Sequence, residues 1–179
     1  MMGTVLTVMG VGLAVLVGGT LVLAATRPDE FTVQRRTLIR AAPEKIYGLV
    51  EDFRRWGAWS PYETLDPAMA RTYEGAEAGL GAVYAWDGNS KAGQGRMEIK
   101  EARPGARLVI ALDFLKPFKT SNTALFTFEP APGGTQVTWA MMGRYPLMAK
   151  VMGLFFNMDR MVGADFETGL ANLKAQAET

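Results

Sequence analysis

Cysteine and histidine are both absent from the 179 residues of this chain. Their absence excludes disulfide bonds, thiolate nucleophiles, imidazole bases and Cys/His metal sites, and a Ser-His-Asp triad with them. A general acid or base would have to be an Asp, Glu, Lys or Tyr side chain. We therefore expect neither a metal nor a cofactor.

An excess of one charge is also lacking. The chain has 19 Lys and Arg against 18 Asp and Glu, and its basic residues form no run of the kind that follows phosphates. A nucleic-acid partner is therefore not expected. The hydrophobic fraction of 49% and the charged fraction of 21% are typical of a foldable globular chain. The length fits one domain with an appendage.

Residues 1–26 contain no charged side chain and are rich in Val, Leu, Ala and Gly. A helix from Val5 to Ala25 would be about 30 Å long, which is enough to cross a bilayer core. The alternative is a cleaved signal peptide with a weak cleavage site near Thr26. However, no basic residue precedes the apolar run, and the run exceeds an ordinary signal-peptide core. We therefore expect a transmembrane anchor over residues 1–26 and a soluble domain over residues 27–179.

Basic residues follow this apolar run but do not precede it. The first is Arg27, and further arginines follow up to residue 40. This asymmetry predicts a single-pass protein with its soluble domain in the cytoplasm. Gly10, Ala14 and Gly18 lie four residues apart on one helix face. Because small residues let helices approach closely, they predict a weak homodimer through the membrane helix.

Segments of alternating apolar and polar residues run through the soluble domain, as in strands with one buried face. After the first such segment, a short helix opens at Pro43, and a second is predicted over residues 51–61. A polar connection then leads into the remaining segments. The predicted strands are residues 31–39, 71–74, 82–87, 93–101, 107–114, 122–128 and 137–141.

A long amphipathic helix is predicted over residues 147–174, because apolar side chains recur there at steps of three or four. Charged side chains, including Asp165, fall mostly off this stripe. The stripe is rich in methionine, which is flexible and suits a deformable cavity, although plain core packing would give the same pattern. The stripe consists of Met148, Met152, Phe155, Met158, Val162, Phe166, Leu170 and Leu173.

This element order, with these residues, resembles the START-like SRPBCC superfamily and its polyketide cyclase/dehydrase-like branch. The resemblance covers nearly all of residues 31–174. Members with an N-terminal membrane span are similar as well. It is carried by the pieces APEKIYGLVEDFRRWGAWSPYETLDPAM, GLGAVYAWDGN, GQGRMEI, PFKTSNTALFTFEP, GGTQVTWAMMG and MDRMVGADFETGLANLK.

The resemblance implies an α+β helix-grip fold, in which a curved antiparallel sheet wraps around the C-terminal helix. It also implies a cavity between them for an apolar small molecule. Some relatives cyclise or dehydrate polyketides, whereas others only bind or carry lipids, hormones or quinones. Membership alone therefore does not imply an enzyme.

Aromatic and aliphatic side chains on the inner faces of the sheet and helix are the candidate ligand-binding residues, although an aromatic core would use the same residue types. Together with the fold, they predict a partner that is a hydrophobic small molecule or lipid. The candidates are Trp56, Trp59, Tyr84, Trp86, Phe114, Phe126, Trp139, Met141, Phe155, Met158 and Val162.

Asp159 is the weak catalytic candidate, since a carboxyl group half-buried beside the helix stripe could act as an acid or base. The alternative is an ion pair at the helix surface. Three functions therefore stand: a membrane-tethered binding module, a polyketide cyclase/dehydratase-like enzyme using a carboxylate, and a protein-contact domain with a filled interior. Because no second ionisable group is predicted beside Asp159, we expect binding without turnover.

Overall fold

The computed structural model describes residues 18–20, 23, 25–26, 28–145, 150–151 and 157–179. In this part of the chain, no helix is both long and apolar enough to cross a bilayer. The anchor expected over residues 1–26 lies mostly outside the described residues, and so do Gly10 and Ala14 of the predicted dimer contact.

Seven antiparallel strands form one sheet, as the alternating segments predict, with ends that differ by a few residues. Their order across the sheet is β1-β7-β6-β5-β4-β3-β2, so the first and last strands are neighbours and every other pairing joins consecutive strands. The strands are β1 Glu30–Ile39, β2 Ala70–Gly75, β3 Ala82–Asp87, β4 Gln94–Arg103, β5 Arg107–Lys116, β6 Thr120–Ala131 and β7 Gly134–Arg144.

Helix α1, Pro43–Val50, follows β1 and buries Ile46, Tyr47 and Val50, as its spacing predicts. The second predicted helix is instead a 3₁₀ helix, Phe53–Ala58, and a separate 3₁₀ helix, Pro61–Thr64, follows it. The Asp52 carboxylate starts the first of them, because its Oδ1 accepts the Arg54 N–H at 2.9 Å.

Helix α2, Met158–Ala177, is shorter at its start than the predicted helix over residues 147–174. The prediction of one continuous helix is wrong at Asn157, whose backbone is extended. The Asn157 Oδ1 accepts the Arg160 N–H at 3.0 Å, so the residue caps a new helix. Met148, Met152 and Phe155 lie outside the described residues.

Two contacts fix α2 against the sheet. Arg35 of β1 donates from Nη1 to Asp159 at 3.1 Å, at the start of the helix, and from Nε to Glu167 at 2.7 Å, near its middle. Beside Glu167, the Phe166 ring stacks on Trp139 of β7, with ring centroids 4.1 Å apart. These contacts give the helix-grip arrangement and leave α2 lying over the inner face of the sheet.

Gly95 provides the first test of this packing. It pairs with Trp86 across β3 and β4, and a Cβ atom there would lie 2.6 Å from the Asp113 carbonyl oxygen. Because main-chain atoms cannot move aside cheaply, we expect Gly95→Ala to lower the free energy of unfolding by about 1–3 kcal/mol. Urea denaturation measures the change.

Gly57→Ala is the matched control, because a Cβ atom at Gly57 meets nothing within 4 Å. Equal denaturation midpoints for the two variants would contradict the close approach at Gly95.

Candidate ligand-binding cavity

A cavity of about 420 Å³ lies between the sheet, the two 3₁₀ helices and α2. The inner faces of β3 to β7 supply its floor, and Val162 and Phe166 of α2 supply part of its cover. Leu65, Lys91 and Asp165 line it while remaining exposed to solvent, so they mark its mouth. Most of its wall is aromatic or aliphatic, and the polar groups are few.

Most of the predicted ligand-binding residues come together at this cavity. Phe155 lies outside the described residues, and the structure describes only the backbone of Met158. The predicted residues that line the cavity are Trp56, Tyr84, Trp86, Phe114, Trp139, Met141 and Val162.

Trp59 and Phe126 lie behind the wall rather than on it, which differs from the prediction. The Trp59 indole N–H donates to the Leu49 carbonyl oxygen at 3.1 Å and is held in the core. Phe126 is fully buried, with the Trp139 ring 5.0 Å away and the Phe128 ring 6.5 Å away. Both side chains support the cavity wall instead of facing a ligand.

The aromatic wall is built from rings that fix one another. Tyr84 and Trp86 are stacked on β3 with centroids 5.9 Å apart, and Phe114 meets the Trp86 ring edge-on at 5.9 Å. The Trp86 N–H donates to the Ala92 carbonyl oxygen at 3.0 Å, which fixes the ring at the β3–β4 hairpin. A wall of mutually packed rings offers flat apolar surface to a ligand.

Glu63 is the first of two carboxylates at the cavity. Its side chain is only 8% exposed. It accepts the Tyr84 hydroxyl at 2.6 Å and the Arg71 Nε–H at 2.7 Å. The hydrogen bond from Arg71 to Glu63 raises the pKa of Arg71. Burial raises the pKa of Tyr84, and the hydrogen bond from Tyr84 to Glu63 adds to this rise. With both oxygens engaged, Glu63 is a fixed structural anion.

Asp165 is the second carboxylate, and it lines the cavity with Tyr62. Partial burial raises the pKa of Asp165, while the hydrogen bond from Tyr62 opposes that rise. Burial, followed by the charge of Asp165, raises the pKa of Tyr62. A carboxyl group with a raised pKa beside a cavity can accept and return a proton.

Asp159, the weak catalytic candidate, does not line the cavity. It is exposed, and Arg35 donates to both of its carboxylate oxygens at 3.1 Å. The hydrogen bond from Arg35 lowers the pKa of Asp159, which leaves it a poor proton carrier near neutral pH. The alternative of an ion pair at the helix surface therefore describes Asp159.

Sequence reasoning missed Asp165, Tyr62 and Glu63, and with them an ionisable pair at the cavity. A signal for Asp165 was present, because it lies three residues after Val162 and so shares that helix face. Tyr62 and Glu63 belong to the segment that the sequence analysis described only as a polar connection, so neither was predicted to reach the cavity. Within the described ranges, no three acidic side chains cluster as metal ligands.

Residues 30–178 match the protein family described as polyketide cyclase/dehydrase and lipid transport. No curated protein matches the chain. Among solved structures, the chain is similar to the di-domain ARO/CYC StfQ from the steffimycin biosynthetic pathway, with 15% identity and a TM-score of 0.64. That match covers 84% of this chain and 51% of StfQ.

Two further structures share the fold. Protein CV1439 from Chromobacterium violaceum is 15% identical with a TM-score of 0.60, over 83% of this chain and 97% of its own. The Aha1 dimer from Colwellia psychrerythraea is 16% identical with a TM-score of 0.56, over 83% of this chain and 96% of that one. At these identities the likeness shows the fold alone.

The pairing of Tyr62 with Asp165 predicts a direction for a measurable pKa. A hydrogen bond donated to a carboxylate favours its charged form, so Tyr62→Phe should raise the pKa of Asp165 further. The carboxyl ¹³C shift of Asp165, followed against pH, reports this value. Tyr73→Phe is the control, because Tyr73 stacks on Tyr84 instead. An unchanged or lower pKa in Tyr62→Phe would contradict the pairing.

Proposed function

Because the chain belongs to the polyketide cyclase/dehydrase and lipid transport family, we propose that its folded domain binds a hydrophobic small molecule or lipid. The ligand lies in the cavity between the sheet and α2. The observation that carries this proposal is the cavity itself, whose 420 Å³ falls within the range of about 300–1,000 Å³ typical of small-molecule sites.

The composition of the wall supports an apolar ligand. Flat rings such as Trp86 and Phe114 offer surface for a ring system or an alkyl chain, and burying either releases water from apolar surface. Met69, Met97 and Met141 also line the cavity, and their flexible side chains can adjust to the shape of a ligand. A domain used only for protein contacts would have no reason to keep this space open.

Membrane attachment through residues 1–26 is part of the same proposal. It is supported by the absence of charge over a run long enough to span a bilayer. An anchor there would keep the cavity close to a reservoir of hydrophobic ligands, with the domain on the cytoplasmic side.

Val162→Trp tests the position of the ligand. Val162 lines the cavity from α2, so the larger ring should fill the space and abolish binding of a fluorescent apolar probe such as diphenylhexatriene. The cost of overpacking should be about 1–3 kcal/mol in unfolding free energy.

Met161→Trp is the matched control for this prediction. Met161 is the preceding residue on α2 but is 60% exposed, so the same ring added there should leave probe binding unchanged. Undiminished binding in Val162→Trp would show that the ligand lies elsewhere.

A second candidate function is acid–base catalysis, and the pair of Asp165 and Tyr62 favours it. The Asp165 carboxylate could take a proton from a carbon next to a carbonyl group, leaving an enolate. The same proton, returned to a hydroxyl on the neighbouring carbon, would let that group leave as water and form a carbon–carbon double bond. The Tyr62 hydroxyl would hold the carboxylate in position through its hydrogen bond.

Asp165→Asn separates the two functions. If the domain is an enzyme, this variant should lose about 10²–10⁴-fold in turnover of a ligand recovered with the protein, because the proton carrier is gone. Binding should remain, as measured by mass spectrometry of the retained ligand. Asp159→Asn is the control, because Asp159 faces Arg35 outside the cavity. Equal turnover in wild type and Asp165→Asn would exclude Asp165 as the base.

A further inference from the structure

One of the four tryptophans of the chain differs from the other three in the hydrogen bonding of its indole N–H. The indole N–H groups of Trp56, Trp59 and Trp86 each donate to a backbone carbonyl oxygen, at 2.8, 3.1 and 3.0 Å. Trp139 is only 3% exposed, yet its N–H finds no acceptor among the described residues. Because buried indole N–H groups are normally paired, this donor requires an explanation.

The surroundings of Trp139 show which side of its ring faces α2. Phe166 and Phe126 stack on the ring, with centroids 4.1 and 5.0 Å away. The Cζ3 corner of the ring faces α2, since a Cβ atom at Gly169 would lie 2.7 Å from it. The Nε1 atom lies on the opposite side of the indole from Cζ3, and therefore away from α2. Further aromatic rings contact the indole edge-on, and the residue as a whole lines the cavity.

Ser60 presents a second unpaired group on the same wall. Its side chain is buried, and its hydroxyl has no partner among the described residues. The backbone holds it in place, because the Ser60 N–H donates to the Trp56 carbonyl oxygen at 2.8 Å. Its neighbours Trp59 and Tyr62 both contact the Trp139 ring. The serine hydroxyl and the indole N–H therefore belong to one region of the wall.

Met141 is a flexible side chain of the same wall. It lies two residues after Trp139 on β7, so both side chains project from the same face of the strand and line the cavity. The Trp139 N–H and the Ser60 hydroxyl are shielded behind the cavity surface. A methionine can change rotamer at little cost, so the wall beside Trp139 can rearrange around a ligand.

The charges of the wall restrict the polar group that the ligand can carry. Glu63 and Asp165 are both acidic, and the one basic side chain of the lining, Lys91, is at the exposed mouth. Arg71 balances the charge of Glu63. However, a carboxylate placed beside Trp139 and Ser60 would share the cavity with Asp165 and would be disfavoured by like-charge repulsion. A neutral oxygen acceptor avoids this repulsion.

On the basis of the binding function proposed above, we infer that the ligand is a neutral apolar molecule with a carbonyl oxygen. That oxygen accepts hydrogen bonds from the Trp139 N–H and the Ser60 hydroxyl, while the apolar body lies against the aromatic wall.

A matched set of ligands tests this inference on the full chain, carried in lipid nanodiscs with empty nanodiscs as blanks. Diphenylhexatriene reports occupancy of the cavity. Methyl nonyl ketone, dodecene and undecanoate, which differ in their polar group, compete for it. In ¹⁵N–¹H TROSY spectra of wild type, the ketone should move the Trp139 indole signal downfield. The other three indole signals should move less, because their N–H groups are already bonded.

Trp139→Phe keeps a stacked ring but removes the donor. Its affinity for the ketone should fall about five- to tenfold, the usual worth of one hydrogen bond, while its affinity for dodecene should not change. Ser60→Ala should act in the same direction. Trp56→Phe is the matched control, because Trp56 also lines the cavity but donates to Val50; it should change both affinities by the same factor. If Trp139→Phe does not fold, Phe variants of Trp56, Trp59 and Trp86 identify the other three indole signals. The remaining wild-type signal is then that of Trp139.

The outcomes separate this inference from the function on which it rests. Failure of diphenylhexatriene and all three competitors to bind would overturn the proposed function. Binding of the probe with an unmoved Trp139 signal, or with equal losses for ketone and dodecene in Trp139→Phe, would overturn the inference alone. Tighter binding of undecanoate than of the ketone would also overturn it.

Discussion

The stack of Trp139 on Phe166 is the contact on which the rest of the domain depends. It joins the middle of α2 to β7, with ring centroids 4.1 Å apart and planes within 11°. Gly169 makes it possible, because a side chain at that position would collide with the Trp139 ring. The same tryptophan forms part of the cavity wall, so the contact that closes the fold also shapes the site.

The cavity exists because α2 packs unevenly along its length. Its second half fills the core, where Leu170, Leu173 and Ala177 are almost completely buried. Its first half is held at the sheet edge by Arg35, and there Val162 is only partly buried. A helix fixed at one end by an ion-paired arginine and at the other by a dense core can cover a space without filling it.

The two carboxylates of the wall differ in what they can do. Arg71 and Tyr84 occupy both carboxylate oxygens of Glu63, so Glu63 fixes the geometry of the wall and does not act as an acid or base. Asp165 lies at the mouth beside Tyr62, and partial burial raises the pKa of Asp165, so that it keeps its proton to a higher pH. A binding domain needs neither group to titrate, whereas an enzyme of this fold would need Asp165. The two proposed functions therefore differ in the role of a single side chain.

The sequence alone specified the seven strands, the burial of α1 and the shared face of Val162, Phe166, Leu170 and Leu173 on α2, because periodicity records which face of an element is buried. It also determined that no histidine or cysteine chemistry is available. Contacts in the folded domain are needed to show that Trp59 and Phe126 support the wall and that Asp159 pairs with Arg35. They also show that Asp165 reaches the cavity and that the Trp139 N–H has no acceptor among the described residues. These features depend on contacts between residues that are far apart in the chain. Such contacts impose no periodic pattern on the sequence, so periodicity does not predict them.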